Sequence, residues 1–501
     1  MPVRAEVDAD TETPVSAFLK LSRGESLAFL LESVEGGERS ARFSFLGARP
    51  RSVLRWKISD PGDPVEAIRT ALASHRAVRV PGAPRFCGGL VGHLSYDVVR
   101  LFEPHVCRPG PDELGFPDIT LMDFDEVVAF DNLRHSLHVI QEVRCDEGDD
   151  PGSLYRRAAA RIVERLRILS RPLRDRRPGR AVKGAVLAPR VSRRAFQGAV
   201  RRAREYVEAG DCQQVVLSQR FDADCALPPF EIYRALRRVN PSPYLFFVKD
   251  GERALVGSSP ETLIRLEDGE ITLRPIAGTR RRGGDPEDDA RLEAELRADP
   301  KENAEHMMLV DLGRNDVGRV AAVGSVRVST LRAVERYSHV MHLVSEVRGR
   351  LAPGLSALEV LRAGFPAGTV SGSPKVRAMQ IIDELEPARR GPYAGAVGYF
   401  DRGGDMEMCI AIRTLVARRG RVSVQVGAGI VYDSVPSAEY QETVNKAKAV
   451  FTAVAQAQGR ALHASPAVPP ARAATARRRP AGGRGGGAAR RPSAPRRGGR
   501  S

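Results

Sequence analysis

The 501-residue chain has no uninterrupted apolar run approaching the ~18–20 residues that span a bilayer, which excludes an ordinary membrane-spanning helix. It has no CxxC pair either, since Cys87, Cys107, Cys145, Cys212, Cys225 and Cys409 are scattered. That spacing argues against a zinc site and a disulfide framework, and for reduced thiols in a cytoplasmic compartment. The first stretch, MPVRAEVDADTETP, is acidic and lacks an apolar core, so no secretory signal is expected. Acidic residues are missing altogether from 464–501, which holds ten arginines. Of the net charge of +16, this stretch supplies +10 and the remainder only +6. Built of Ala, Gly, Pro and Arg, it cannot bury a core, and 459–501 is expected to be a disordered tail. Such a tail touches nucleic acid or acidic surfaces non-specifically, so nucleic-acid binding is not expected to be the primary function.

What is present is ordinary for a globular protein: 42% hydrophobic and 28% charged residues. LLESVEGGERSARFSFLG reads as strand, Gly-Gly turn, strand, and LMDFDEVVAFDN with RHSLHVIQEV as a hairpin. Residues 64–76 and 153–169 read as helices, and 170–190 as a Pro/Gly/Arg linker or loop. After Ser192 an amphipathic helix leads to CQQVVLSQRFDA, a strand, and then to YLFFVK, RALVGSS, TLIRLEDG and EITLRPIAG. AGAVGYFD, MEMCIAIRTLVAR and RVSVQVGAGIVYD close the pattern as strands. Strands in meanders with helices between the runs predict an α+β fold with large, mostly antiparallel sheets. The division expected is 1–169, an N-terminal subdomain; 170–190, a linker; 191–458, a catalytic domain; and 459–501, the tail.

Within 191–458, DPKENAEHMMLVDLGRND predicts a helix capped by Asp299, with Pro300 at its first position and Glu302 closing a capping box. Glu302 and Glu305 project from one face at i and i+3, and Glu439 and Glu442 repeat the spacing in SAEYQETVNKAKAV. Four carboxylates on two helix starts suit a hard, oxygen-loving cation such as Mg2+; solvated first turns favoured by the helix dipole are the alternative. FPAGTVSGSPK sets Thr369 among glycines before a helix at Pro374, where free N–H groups suit a carboxylate; it is not a P-loop. Gly427 and Gly429 flank Ala428 where a backbone can approach a ligand, or where a bulge sits. Arg413 inside an apolar strand calls for a carboxylate partner. Glu261 could serve as an acid if buried, and His342 lies in an apolar helix, HVMHLVS, where a satisfied core histidine is the common case.

QQVVLSQRF, NPSPYLFFV, GSSPET, PIAGTR, DPKENAEHMMLVDLGRND, VMHLVS, AGTVSGSPKVRAMQIIDELEP, RGPYAGAVGYF, IAIRTL and GAGIVYDSVPSAEYQETVNKAKAV occur in this order across residues 192–450. Together they resemble the chorismate-utilising enzymes, most closely the large subunits (component I) of anthranilate synthases. The resemblance implies that Glu305 and Glu442 bind Mg2+ directly and that Glu302 and Glu439 act through metal-bound water. It implies substrate contacts from Gly278, Thr279, Tyr393, Arg413, Gly427, Ala428 and Gly429, with Arg413 facing the pyruvyl carboxylate. Thr369 matches a residue near the substrate ring, Glu261 the acid that protonates the departing hydroxyl, and His342 the group that assists proton removal. Gln214 stands where the isochorismate and salicylate synthases carry a lysine that activates water. Ala277 stands where aminodeoxychorismate synthases commonly carry an adduct-forming lysine. Both point to ammonia as nucleophile and anthranilate plus pyruvate as products; an aminodeoxyisochorismate synthase, which keeps the pyruvyl group, stays open. No second domain with a Gly-flanked nucleophilic cysteine is evident, so ammonia is expected from a separate glutamine amidotransferase subunit in a hetero-oligomer. LLES resembles the family's regulatory subdomain, and Ser33, Pro243, Tyr244 and Leu245 match its feedback tryptophan pocket.

Overall fold

Alternation with period two builds this molecule, and the computed structural model makes the two faces explicit. In the strand Leu27–Glu32, Phe29 points one way while Ala28 and Leu30 point the other; in Tyr244–Asp250, Phe246 and Val248 oppose Leu245 and Phe247. The structure describes residues 1–33, 42–73, 77–106, 110–173, 187–337 and 340–462, with the side chains of 460–462 left aside. The expected Gly-Gly turn, most of the 170–190 linker and the tail from 463 lie outside the described residues.

Two large sheets result, and every described pairing named below is antiparallel. The first, of 12 strands, runs from Pro2–Asp8 through Ser136–Glu142, Glu126–Asp131, Phe43–Ala48 and Leu27–Glu32, then Tyr244–Asp250, Arg253–Ser259, Thr414–Arg418, Arg421–Ile430 and Gln214–Asp224. The second, of 10 strands, runs from Ile276–Arg281 and Val340–Arg350 through Glu270–Leu273, Thr262–Glu267, Met406–Ile410, Ala396–Asp401, Gly89–Leu94 and Ile119–Phe124 to Ser52–Trp56. The α+β fold with large antiparallel sheets is therefore the observed one. Met1–Leu462 form one compact unit, and strands from before and after residue 190 share both sheets.

The sheets pack face to face. Phe29, Phe45, Phe246 and Val248 of the first meet Val91, Met122, Phe124, Val397 and Tyr399 of the second, and Phe29 and Phe124 stand edge to face at 4.7 Å. Each buried aromatic or aliphatic side chain there contributes roughly 1.5–3 kcal/mol. Helices Pro14–Leu21, Pro151–Leu169, Pro229–Val239 and Pro436–Leu462 cover the outer face of the first sheet. Pro300–Gly318, Ala357–Gly364 and Lys375–Leu385 contribute to the cover of the second.

Three local expectations are corrected. His342 is not helical: Val340–Arg350 is a strand in which Met341, Leu343, Ser345 and Val347 alternate into the interior, an apolar run whose length suits either element. MEMCIAIRTLVAR is not one strand but two, Met406–Ile410 in the second sheet and Thr414–Arg418 in the first. Glu302 closes no capping box. Asp299 caps the N–H groups of Lys301 and Glu302, while the Glu302 carboxylate turns to Arg280 at 3.1 Å.

Candidate active site

The break in MEMCIAIRTLVAR places the chemistry. Two of the places where the chain passes from one sheet to the other lie side by side: from Arg253–Ser259 to Thr262–Glu267, and from Met406–Ile410 to Thr414–Arg418. Glu261 sits in the first crossing and Arg413 in the second. Arg413 takes a left-handed backbone, φ 49°, a conformation that costs a non-glycine residue energy and clusters at functional sites. Among the described residues its guanidinium makes no hydrogen bond or ion pair, and burial pulls its pKa down against the favourable charge of Glu261. Burial pushes the Glu261 carboxyl up to about 8, with Thr369 and Arg413 pulling the other way. At neutral pH this carboxyl is protonated. The Thr369 Oγ1 hydroxyl is buried beside it and, apart from this interaction with Glu261, has no hydrogen-bond partner among the described residues. Just beyond Thr369, Gly372–Ser373 add a short strand against Gln214 and Val215 before helix Lys375–Leu385 begins.

His342 lies close enough to Arg413 and Glu302 to feel both charges, and burial is the largest influence lowering its pKa. Its Nδ1 is 3.1 Å from the Gly278 carbonyl and 3.0 Å from Thr279 Oγ1. A carbonyl only accepts, so in the neutral ring Nδ1 carries the hydrogen and Nε2 keeps its lone pair. Gly278 sits at a bulge with φ 70°, where a Cβ would lie 3.2 Å from Glu302 Oε2. Neighbouring Ala277 carries no amine.

The carboxylates gather around the same region. Helix Pro300–Gly318 buries His306, Leu309, Gly313 and Val317 at helical spacing, and Glu302 continues that stripe toward its start. Burial raises the Glu305 pKa first, and the negative charges of Glu302 and Glu442 raise it further; the Gln214 amide donates to Glu305 Oε1 at 3.3 Å and opposes this. Glu439 is likewise raised, by burial and by Glu442. Four carboxylates on two helices offer the all-oxygen donor chemistry of a hard divalent cation. Among the described residues no three His, Cys, Asp or Glu side chains already converge as a closed ligand cage.

The far wall is the strand Arg421–Ile430. A Cβ on Gly427 would sit 2.6 Å from the Tyr393 hydroxyl and 2.9 Å from Val216, so that position favours glycine; one on Gly429 would sit 2.7 Å from Gln214 Nε2, a side-chain tip that would have to move aside. Ala428 between them turns its methyl into an apolar cluster with Val215 and Leu217, leaving only its backbone to face a ligand. Burial lifts the Tyr393 pKa to about 12, which keeps its hydroxyl protonated.

A family model for chorismate binding enzymes matches residues 27–452. The chain belongs to the chorismate-binding enzyme family. Anthranilate synthase component 1 of Pseudomonas aeruginosa is 49% identical over 477 residues, covering 91% of this chain and 96% of that protein. The same-named protein of Thermus thermophilus is 47% identical over 465 residues, covering 91% and 98%. Among solved structures, anthranilate synthase component I of Streptococcus pneumoniae superposes with a TM-score of 0.74 at 38% identity, covering 83% of this chain and 94% of that one. A menaquinone-specific isochorismate synthase from Escherichia coli, at 20% identity and TM-score 0.70 over 91% and 95% of the chains, shares the fold.

Set in this family, the structure brings Glu261, Arg413, Thr369, His342, Gly278, Thr279, Glu302, Glu305 and Gln214 to one seam, with Tyr393 and the glycine strand opposite. It also adds cations that sequence reasoning passed over. Lys446 Nζ is 2.6 Å from Glu442 and donates to the Gly427 carbonyl at 2.9 Å. Arg280 pairs with Glu302 and, at 2.7 Å, with Asp299. The i, i+4 spacing from Glu442 was a legible signal for Lys446; nothing local announced Arg280.

Ser33, Pro243, Tyr244 and Leu245 line two adjoining cavities that share Ser33 and Tyr244. Phe43, Phe45, Phe246 and Tyr399 give the first an aromatic wall. A buried Arg85–Glu407 pair at 2.8 Å closes one side, and Tyr244 donates to Glu407 at 3.2 Å.

Proposed function

We propose that the chain is the chorismate-converting subunit of an anthranilate synthase, which turns chorismate and ammonia into anthranilate and pyruvate. The observation that carries this is the Glu261–Arg413 couple at the sheet crossing, a carboxylic acid kept protonated beside an unpaired guanidinium, with the free Nε2 of His342 in reach of the same charges. Arg413 holds the pyruvyl carboxylate, and among the described residues its guanidinium has no competing ion pair. Glu261 delivers its proton to the departing ring hydroxyl, and Thr369 orients that group or the ring beside it. His342 removes the ring proton through Nε2 as pyruvate leaves. Tyr393, Gly427, Ala428 and Gly429 form a wall that accepts the substrate without side-chain bulk, and Gly278 with Thr279 supplies the opposite rim.

Mg2+ fits the donor set of Glu305 and Glu442, with Glu302 and Glu439 behind them; when bound it would clamp the ring carboxylate and offset charge. Gln214 spends its amide on Glu305 and has no basicity with which to activate water, and Ala277 can form no adduct, so added ammonia is the nucleophile. A separate glutamine amidotransferase subunit supplies it in a hetero-oligomer of the cytoplasm. Tryptophan occupies the cavities around Ser33 and Tyr244, which support feedback control because an aromatic slot beside a charged pair accepts an indole and an amino-acid head group. The test is direct: purified protein, chorismate, Mg2+ and an ammonium salt should yield anthranilate and pyruvate. Isochorismate or an aminated product that keeps the pyruvyl group as the main species would refute the assignment.

A further inference from the structure

One buried ion pair touches four parts of the candidate site without itself facing the substrate. Arg390 is 2% exposed, an unusual burial for a guanidinium. Its Nε and Nη2 donate to Glu386 at 2.9 and 2.6 Å. Its Nη1 donates to the Val370 carbonyl at 2.7 Å, one residue after Thr369, and Nη2 to the Val216 carbonyl at 2.7 Å. Its guanidinium lies 4.6 Å from the Tyr96 ring and 5.6 Å from that of Tyr393. Glu386 Oε1 in turn accepts from the Ser218 N–H at 2.7 Å and its hydroxyl at 2.9 Å.

Register gives these contacts meaning. Val216 pairs with Gly429 and Ser218 with Gly427 across the strand ladder, so the ion pair grips the neighbours of both site glycines. The same guanidinium fixes the backbone beside Thr369 and the ring of Tyr393. We infer that Glu386 and Arg390 are positioning residues for the reaction proposed above, setting the distance between the Thr369 side of the site and the wall of Tyr393, Gly427 and Gly429. A planar fork with five donors can hold a carboxylate and two carbonyls on different elements at once, which a lysine cannot. This inference rests on the anthranilate synthase reading only for the identity of the reaction. The wall is the same whatever is done to chorismate.

A structural ion pair and a positioning one differ in what their joint removal does. Replacing a buried pair by apolar side chains of similar volume is often neutral for stability, whereas removing one partner strands a charge. The double variant Glu386→Leu/Arg390→Met strands no charge and should fold with a cooperative melt, lowered by the partners that the Val216 and Val370 carbonyls and the Ser218 N–H lose. Its kcat/KM for chorismate should fall roughly 100-fold, since a misplacement of about 1 Å has that effect. The loss should divide between a raised KM, from the Tyr393 wall, and a lowered kcat, from Thr369. A folded double variant with unchanged kcat and KM overturns the inference. Should it not fold, Arg390→Lys decides: kcat/KM should fall about tenfold or more, with the alkaline limb of its pH profile moved upward as Thr369 leaves Glu261, and unchanged values overturn it. The unaltered protein assayed beside the variants separates the two proposals. If it makes a different product from chorismate, the reaction assignment fails and the pair is judged on that turnover. If it turns nothing over, chorismate affinity by calorimetry is the readout, with at least a tenfold weakening expected and no change refuting.

Discussion

Replacing Glu261 by glutamine should cripple the enzyme and, at alkaline pH, stabilise it. The carboxyl is buried at the sheet crossing and held up to about 8 from an ordinary 4.5, first by burial and against the pull of Thr369 and Arg413. At pH 7 about nine-tenths of it is protonated, where an ordinary carboxyl is protonated at well under one per cent. Activity that depends on this proton falls as pH rises through about 8, so kcat/KM should show an alkaline limb there. On the acid side the limb belongs to His342, which must be neutral and whose lowered pKa places that limb below the ordinary imidazole value of 6.5. Glu261→Gln should lower kcat/KM by roughly 10^2–10^4-fold, and its residual rate should lack the alkaline limb. Thr369→Val removes an influence that favours the charged form, so the Glu261 pKa rises and the limb moves to higher pH. For stability the folded pKa is the raised one. Its contribution is fully present below the unfolded value of 4.5 and is lost as pH climbs through about 8. The loss amounts to roughly 1.4 kcal/mol per pH unit and roughly 5 kcal/mol in all. A glutamine feels none of it, so the variant should melt at a higher temperature than the unaltered protein at pH 9 and not at pH 4. The assays are kcat/KM from pH 5 to 9.5 and calorimetric melting at both ends. An alkaline limb that survives in Glu261→Gln, or a Thr369→Val limb that moves down, would refute the reasoning.

Glu305→Gln or Glu442→Gln should leave the melting temperature within a few degrees and lower kcat roughly 100-fold or more, because an anionic ligand is lost from the candidate cation site; near-normal turnover at modest Mg2+ makes these carboxylates mere helix starts. Gly427→Ala sets a methyl 2.6 Å from the Tyr393 hydroxyl and 2.9 Å from Val216. Overpacking of that kind costs about 1–3 kcal/mol, so the chorismate KM should rise roughly tenfold or more, and an unchanged KM means the wall is not where substrate lies. Ser33→Arg should fill the cavity mouth and raise the tryptophan inhibition constant roughly tenfold or more with little change in kcat. Equal inhibition of both proteins, or none of either, removes tryptophan from that cavity.

Much of this was legible in the chain. The nearly unbroken apolar runs YLFFVK and AGAVGYFD mark strands buried on both faces, because side chains of odd and even residues must each find a core. Capping by Asp299 and the i, i+3 acids of the two helices follow from local spacing alone, since such contacts span a single turn. So do Gly427 and Gly429, whose missing side chains announce a close approach. Only the tertiary structure decided the rest. An apolar run as short as VMHLVS suits a helix or a strand equally, and the neighbouring strands Ile276–Arg281 and Arg327–Arg336 settled it as a strand by offering a ladder on both sides. Nothing local says that AIRTL must leave one sheet for the other at Arg413. That crossing exists because the two paired strands change sheets together, which faces Arg413 with Glu261, some 150 residues away in sequence. The proton on Glu261, the tautomer of His342 and the grip of Arg390 on Val216 and Val370 are likewise consequences of burial and register. A sequence names the groups, but the dielectric around them and the strands beside them come only with the packed fold.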